Sequence, residues 1–211
     1  MFAFRVFELI ALFYGIPIAI ALIRASGMRL SPLPVLWVAA ILCAVLLWRS
    51  RKPNPSSQNS FDALKAGLPG VLLRVSVCSL ALFAIAIVFI PESLFAFPRR
   101  APVVWVIIMI AYPLLSVVPQ GIVFRQWFFQ RYQDLLGNGS WMLLVGAVTF
   151  GFAHIAFGNW VAPVLTTIGG LIFMRTFMKS RSATLANIEH ALFGDIVFTL
   201  GYGEWLYAGA N

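Results

Sequence analysis

His154 and His190 are the only histidines in the chain, and both stand in apolar surroundings, in TFGFAHIAFGN and NIEHALFGDIVFTLGYG. An imidazole exchanges a proton near neutrality, so one can take a proton from water as a general base while another donates to a developing oxyanion. Glu189 and Asp195 accompany His190, and VVPQGIVFRQWFFQRY places Gln120, Arg125 and Arg131 on one helix with no acid beside them. In hydrocarbon such groups are costly unless they share a protein interior or a wet cavity. The predicted arrangement therefore has His154 and His190 approaching across a cavity, with Gln120 and Arg125 on its wall. A purely structural polar network is the alternative.

Spacing sharpens the picture. Phe150 and His154 are one helical turn apart, so the phenyl ring can restrict the imidazole. His190 and Gly194 share a face, whereas Asp195 points about 140° and Glu189 about 100° away from His190 on an ideal helix. Arg125 lies one turn beyond Gly121, where a carboxylate would hold the guanidinium and glycine cannot. Arg125 is thus expected to need Glu189, Asp195, a phosphate or water. Gln120 can orient water but cannot accept its proton as a carboxylate does. Two histidines with Asp195 or Glu189 make only a minimal ligand set for a divalent metal such as zinc, and HExxH and other tight zinc motifs are missing.

These residues require helices in a membrane. The 211 residues are 61% hydrophobic and 10% charged, with mean hydropathy +0.92, too apolar for an ordinary soluble domain. An all-α, polytopic transmembrane bundle forming a single domain over 1–211 is expected. About seven spans fall near 6–24, 33–48, 71–90, 102–118 with a helical continuation to about 133, 141–157, 160–178 and 184–200. The first reads as a retained span rather than a cleaved signal. Pro17, Pro113 and Pro119 threaten to kink or split helices. Gly169, Gly170, Gly201 and Gly203 suit close helix approach, while WFFQRY and WLY suit interfacial anchoring.

The net charge of +8 is dispersed in short connections, which argues for a topology signal and against nucleic acid. Arg49, Arg51, Lys52 and Lys65, with Lys179 and Arg181, mark the amino-terminal side as cytoplasmic, in an inner or plasma membrane. The loop RKPNPSSQNS at 51–60 reads as a solvated connection. Cys43 and Cys78 read as buried thiols, and Glu8 as a group near the lipid headgroups.

Taken together, Gln120-Gly121-Ile122-Val123-Phe124-Arg125, Phe150-Gly151-Phe152-Ala153-His154 and His190-Ala191-Leu192-Phe193-Gly194 resemble the motifs of the CPBP family of intramembrane proteases. That family includes the type II CAAX prenyl endopeptidases, and its pattern is Glu-Glu-x-x-x-Arg, Phe-x-x-x-His and His-x-x-x-Asn/Asp on separate helices. The likeness covers 102–205 as a motif-bearing core. It implies hydrolysis of membrane-associated peptide or protein substrates, prenylated ones among them, with His154 activating water and His190 supporting the oxyanion. Gln120 and Gly121 depart from the paired glutamates, and Gly194 from Asn/Asp. A noncatalytic membrane protein that kept the fold and a peptide-binding cavity is the second reading, and a transporter-like role the third.

Overall fold

The computed structural model describes residues 2–28, 30–50 and 60–206. The chain is an all-helical, polytopic bundle, with no strand among the described residues. Its long helices are α1 (Phe2–Ala25), α2 (Pro32–Arg49), α3 (Ser60–Phe89), α5 (Pro102–Leu136), α6 (Ser140–Phe157), α7 (Val161–Ser180) and α8 (Ala183–Leu200). A short α4 (Ala96–Arg100) precedes α5, and α9 (Gly203–Leu206) follows α8. All but α8 of the long helices have the length and apolarity to cross a membrane. At 18 residues, α8 matches α2 in length, but Asn187, Glu189, His190 and Asp195 interrupt its apolar character. The loop at 51–59 lies outside the described residues.

Local chemistry sets several boundaries. Ser31 accepts from the Leu33 amide at 3.4 Å, and Pro32 opens α2, where a missing N–H costs nothing. Ser182 caps α8 by accepting from the Leu185 amide at 3.1 Å. The preceding Arg181 turns the chain in a left-handed conformation and lays its guanidinium 4.2 Å over the Phe129 ring.

The prolines do not split their helices. A widened π turn at Ala11–Gly15 precedes Pro17, another spans Pro113–Val117 before Pro119, and a third follows at Ile122–Trp127. A π turn inserts one residue into the helical ladder, relieving the clash between a proline ring and the carbonyl behind it while the span continues.

The core differs from the expectation for WFFQRY. Trp127, Phe128, Phe129 and Tyr132 are buried, with Phe13 of α1 edge-on to Phe128 at 5.2 Å. They are interior anchors rather than an interfacial belt, because α1, α6 and α7 close over this end of α5. Glu8 is paired within the bundle. Arg131 donates to it from Nε at 2.7 Å and Nη2 at 2.5 Å, and the Tyr132 hydroxyl adds a bond at 3.1 Å. By contrast, Leu73, Val77, Leu80 and Val88 of α3 are exposed, as a lipid-facing surface requires. Gly170 allows close packing of α7 on α6: a Cβ there would lie 3.0 Å from the Ala147 backbone.

Candidate active site

Asn187, His190 and Gly194 follow one another at three and four residues, so α8 presents them as one stripe. The distorted part of α5 supplies Tyr112, Gln120, Gly121 and Arg125. His154 lies in the tightened last turn of α6, Ala153–Phe157.

Arg125, only 2% exposed, donates from Nη2 to Asn187 Oδ1 at 2.7 Å and to the Val117 carbonyl at 3.5 Å. The same Nη2 stands 3.4 Å from His190 Nδ1, and His190 Nε2 stands 3.1 Å from the Tyr112 hydroxyl. A guanidinium has no acceptor, so Nδ1 must accept from it and the neutral imidazole carries its hydrogen on Nε2. The Nε2–H then donates to the Tyr112 oxygen, leaving the phenolic O–H as the next donor of the chain. Phe173 stacks on the His190 ring at 4.5 Å and also lies 5.9 Å beneath the Arg125 guanidinium.

Phe150 joins the second histidine to this group, its ring centroid 5.0 Å from that of His154 and 5.4 Å from that of His190. His154 Nδ1 lies 2.8 Å from the Phe150 carbonyl, which can only accept. Nδ1 therefore bears the hydrogen in the neutral ring, and the lone pair resides on Nε2. Gln120 donates from Nε2 to the Ser116 hydroxyl at 2.7 Å. Its Oε1 and the Arg125 Nε are buried without a hydrogen-bond partner among the described residues. Each of these unpaired groups suits a polar ligand or water.

The structure thus joins Arg125 and His190 between α5 and α8, with His154 connected through Phe150, while the buried Gln120 bonds within α5 to Ser116. It places the two acids elsewhere. Glu189, fully buried, takes Arg74 of α3, from Nε at 2.9 Å and Nη2 at 2.7 Å, while Arg74 also donates to Thr176 at 3.0 Å. Asp195 lines a separate apolar cleft of about 620 Å³ with Trp105, Met109 and Thr199, and its Oδ1 is buried without a partner among the described residues. Neither acid is hydrogen-bonded to Arg125, whose counter-group is instead the neutral carboxamide of Asn187. Both glycines of the motifs are in close contact with polar neighbours: a Cβ at Gly121 would enter Asn187 Oδ1, and one at Gly194 would enter the ring and hydroxyl of Tyr112.

Asn187, Tyr112 and Arg74 were not among the expected site residues. Asn187 was accessible to helical spacing, being three residues before His190 on the same face. Tyr112 was not, because the intervening π turns change the phase of α5. The donor set does not fit zinc. His190 has both nitrogens engaged, Glu189 is held by Arg74, and no group of three His, Cys, Asp or Glu residues suited to a metal occurs among the described residues.

Residues 102–194 match the family model described as type II CAAX prenyl endopeptidase Rce1-like, a segment somewhat under half of the chain. The match ends at Gly194, the last position of the third motif, and agrees with the resemblance carried by the motifs. No curated protein and no solved structure matches the chain.

Proposed function

We propose, from the match of residues 102–194 to the Rce1-like family model, that this integral membrane protein is an endopeptidase acting on membrane-associated peptide or protein substrates, prenylated chains included. The observation that carries the reading is the His154 tautomer: Nδ1–H is committed to the Phe150 carbonyl, which leaves Nε2 as a proton acceptor. Water gives a proton to His154 Nε2 as its oxygen bonds to the scissile carbonyl carbon. The carbonyl oxygen becomes an oxyanion, stabilised by the Arg125 charge and the Tyr112–His190 donor chain. His154 then returns the proton to the leaving nitrogen as the C–N bond breaks. Gln120 Oε1 orients the water without taking its proton. The arginine and lysine distribution supports a cytoplasmic amino terminus in an inner or plasma membrane.

A second reading is favoured by one observation: the acid nearest His190 in sequence, Glu189, is held by Arg74. On that reading the chain binds membrane peptides without cleaving them. The test uses folded protein in nanodiscs, a panel of membrane and prenylated peptides, and mass spectrometry of products. Cleavage that disappears in the His154→Ala protein is expected. Measurable binding with no His154-dependent product would replace hydrolysis by the noncatalytic reading.

A further inference from the structure

We infer that Asn187 and Tyr112 are positioning residues of this site, filling from other positions the spaces of the side chains that the motifs lack at Gly121 and Gly194. The inference rests on the proposed function, since it concerns how Arg125 and His190 are held for that work. Its evidence is steric and polar at once, and it occurs twice.

At position 121 a Cβ would enter Asn187 Oδ1 and lie 2.9 Å from both Asn187 Cγ and Arg125 Nη2. That same Oδ1 accepts from Arg125 Nη2 at 2.7 Å. The carboxamide therefore stands where a side chain at 121 would stand and supplies the acceptor that such a side chain would offer Arg125 one turn away. Gly194 repeats the relation. A Cβ there would enter the Tyr112 ring and hydroxyl, and that hydroxyl meets His190 Nε2 at 3.1 Å. A polar side chain at 194, one turn beyond His190, would be placed for a similar bond. A site decaying without function would leave voids or apolar filling at both positions. Both instead receive polar atoms that bond the neighbouring motif residue.

The substitution alters the chemistry. Asn187 holds Arg125 without neutralising it, so the guanidinium keeps its charge for an anionic group. Arg125 in turn keeps His190 Nδ1 as an acceptor, and Tyr112 receives the Nε2–H. The two positioning residues thereby secure opposite ends of one hydrogen-bonded chain.

Two measurements on the full chain in detergent micelles test this without substrate. The first is a pair of double-mutant cycles read by thermal unfolding. Gly121→Ala should lower the midpoint by about 5 °C, and should lower it little in an Asn187→Ala background. Gly194→Ala should behave in the same way with and without Tyr112→Ala. Additive losses in both cycles would overturn the spatial exchange. The second is nitrogen NMR of imidazole-labelled protein, which should show His190 as the Nε2–H tautomer. Tyr112→Phe should move its Nε2 resonance, Asn187→Leu its Nδ1 resonance, and Asn187→Asp should restore the latter. An Nδ1–H tautomer, or ring resonances unmoved by both Tyr112→Phe and Asn187→Leu, would overturn the positioning role. Should a glycine variant fail to fold, these two substitutions still decide the question. Loss of the hydrolysis reading through the His154 assay would leave both measurements unchanged, so the two failures are distinguishable.

Discussion

Gln120 carries the most direct test of the departure in the first motif. Its Oε1 is buried without a partner among the described residues, while Nε2 donates to Ser116. Gln120→Glu preserves the shape, and the Ser116 hydroxyl can rotate to donate to the new carboxylate. A carboxylate beside the attacking water should raise kcat/KM for peptide hydrolysis by about tenfold or more, with all activity lost on adding His154→Ala. An unchanged rate in a well-folded Gln120→Glu protein would remove this position from water activation. At this scale the sequence was informative where one helical turn decided the outcome, as with Phe150 and His154. For Arg125 it offered Glu189, Asp195, a phosphate or water and passed over Asn187. A buried guanidinium can also be held by a neutral acceptor already on the facing stripe, and Asn187 is that acceptor.

Between elements, the Arg74–Glu189 pair ties α3 to α8, with Thr176 of α7 as a third contact. Glu189 is fully buried, whereas the Arg74 side chain is 46% exposed, so the cost of breaking the pair falls on the carboxylate. Arg74→Leu should lower stability by about 3–5 kcal/mol, and Arg74→Leu combined with Glu189→Leu should recover most of it. Thermal unfolding in detergent checks both, and equal stability of the single and double variants would refute the assignment. Hydropathy located the long helices because twenty apolar residues are a strong signal. It could not register the π turns in α1 and α5, which redirect side chains without changing composition. The same loss of phase concealed Tyr112 and the buried orientation of WFFQRY.

Across the whole molecule, the alternation of helices puts Phe2, Arg49, Gly137 and Arg181 on one side of the bundle. Contacts agree: Arg5 reaches Asp134 at 3.0 Å on that side, and Asn159 reaches the Trp205 carbonyl at 2.9 Å on the other. Cysteines replacing Lys65 or Lys179, in a background with Cys43→Ala and Cys78→Ala, should react with an impermeant thiol reagent only when the cytoplasmic face is open. Labelling of intact cells at either position would reverse the orientation. The exposed apolar surface of α3 was legible in composition, whereas the charges that pair inside the bundle required its three-dimensional contacts. Gly121 and Asn187 also constrain any redesign of the site. A glutamate introduced alone at 121 would meet the carboxamide, so an engineered carboxylate there calls for a smaller residue at 187 in the same step. The two positions are coupled, and the order in which they are changed matters.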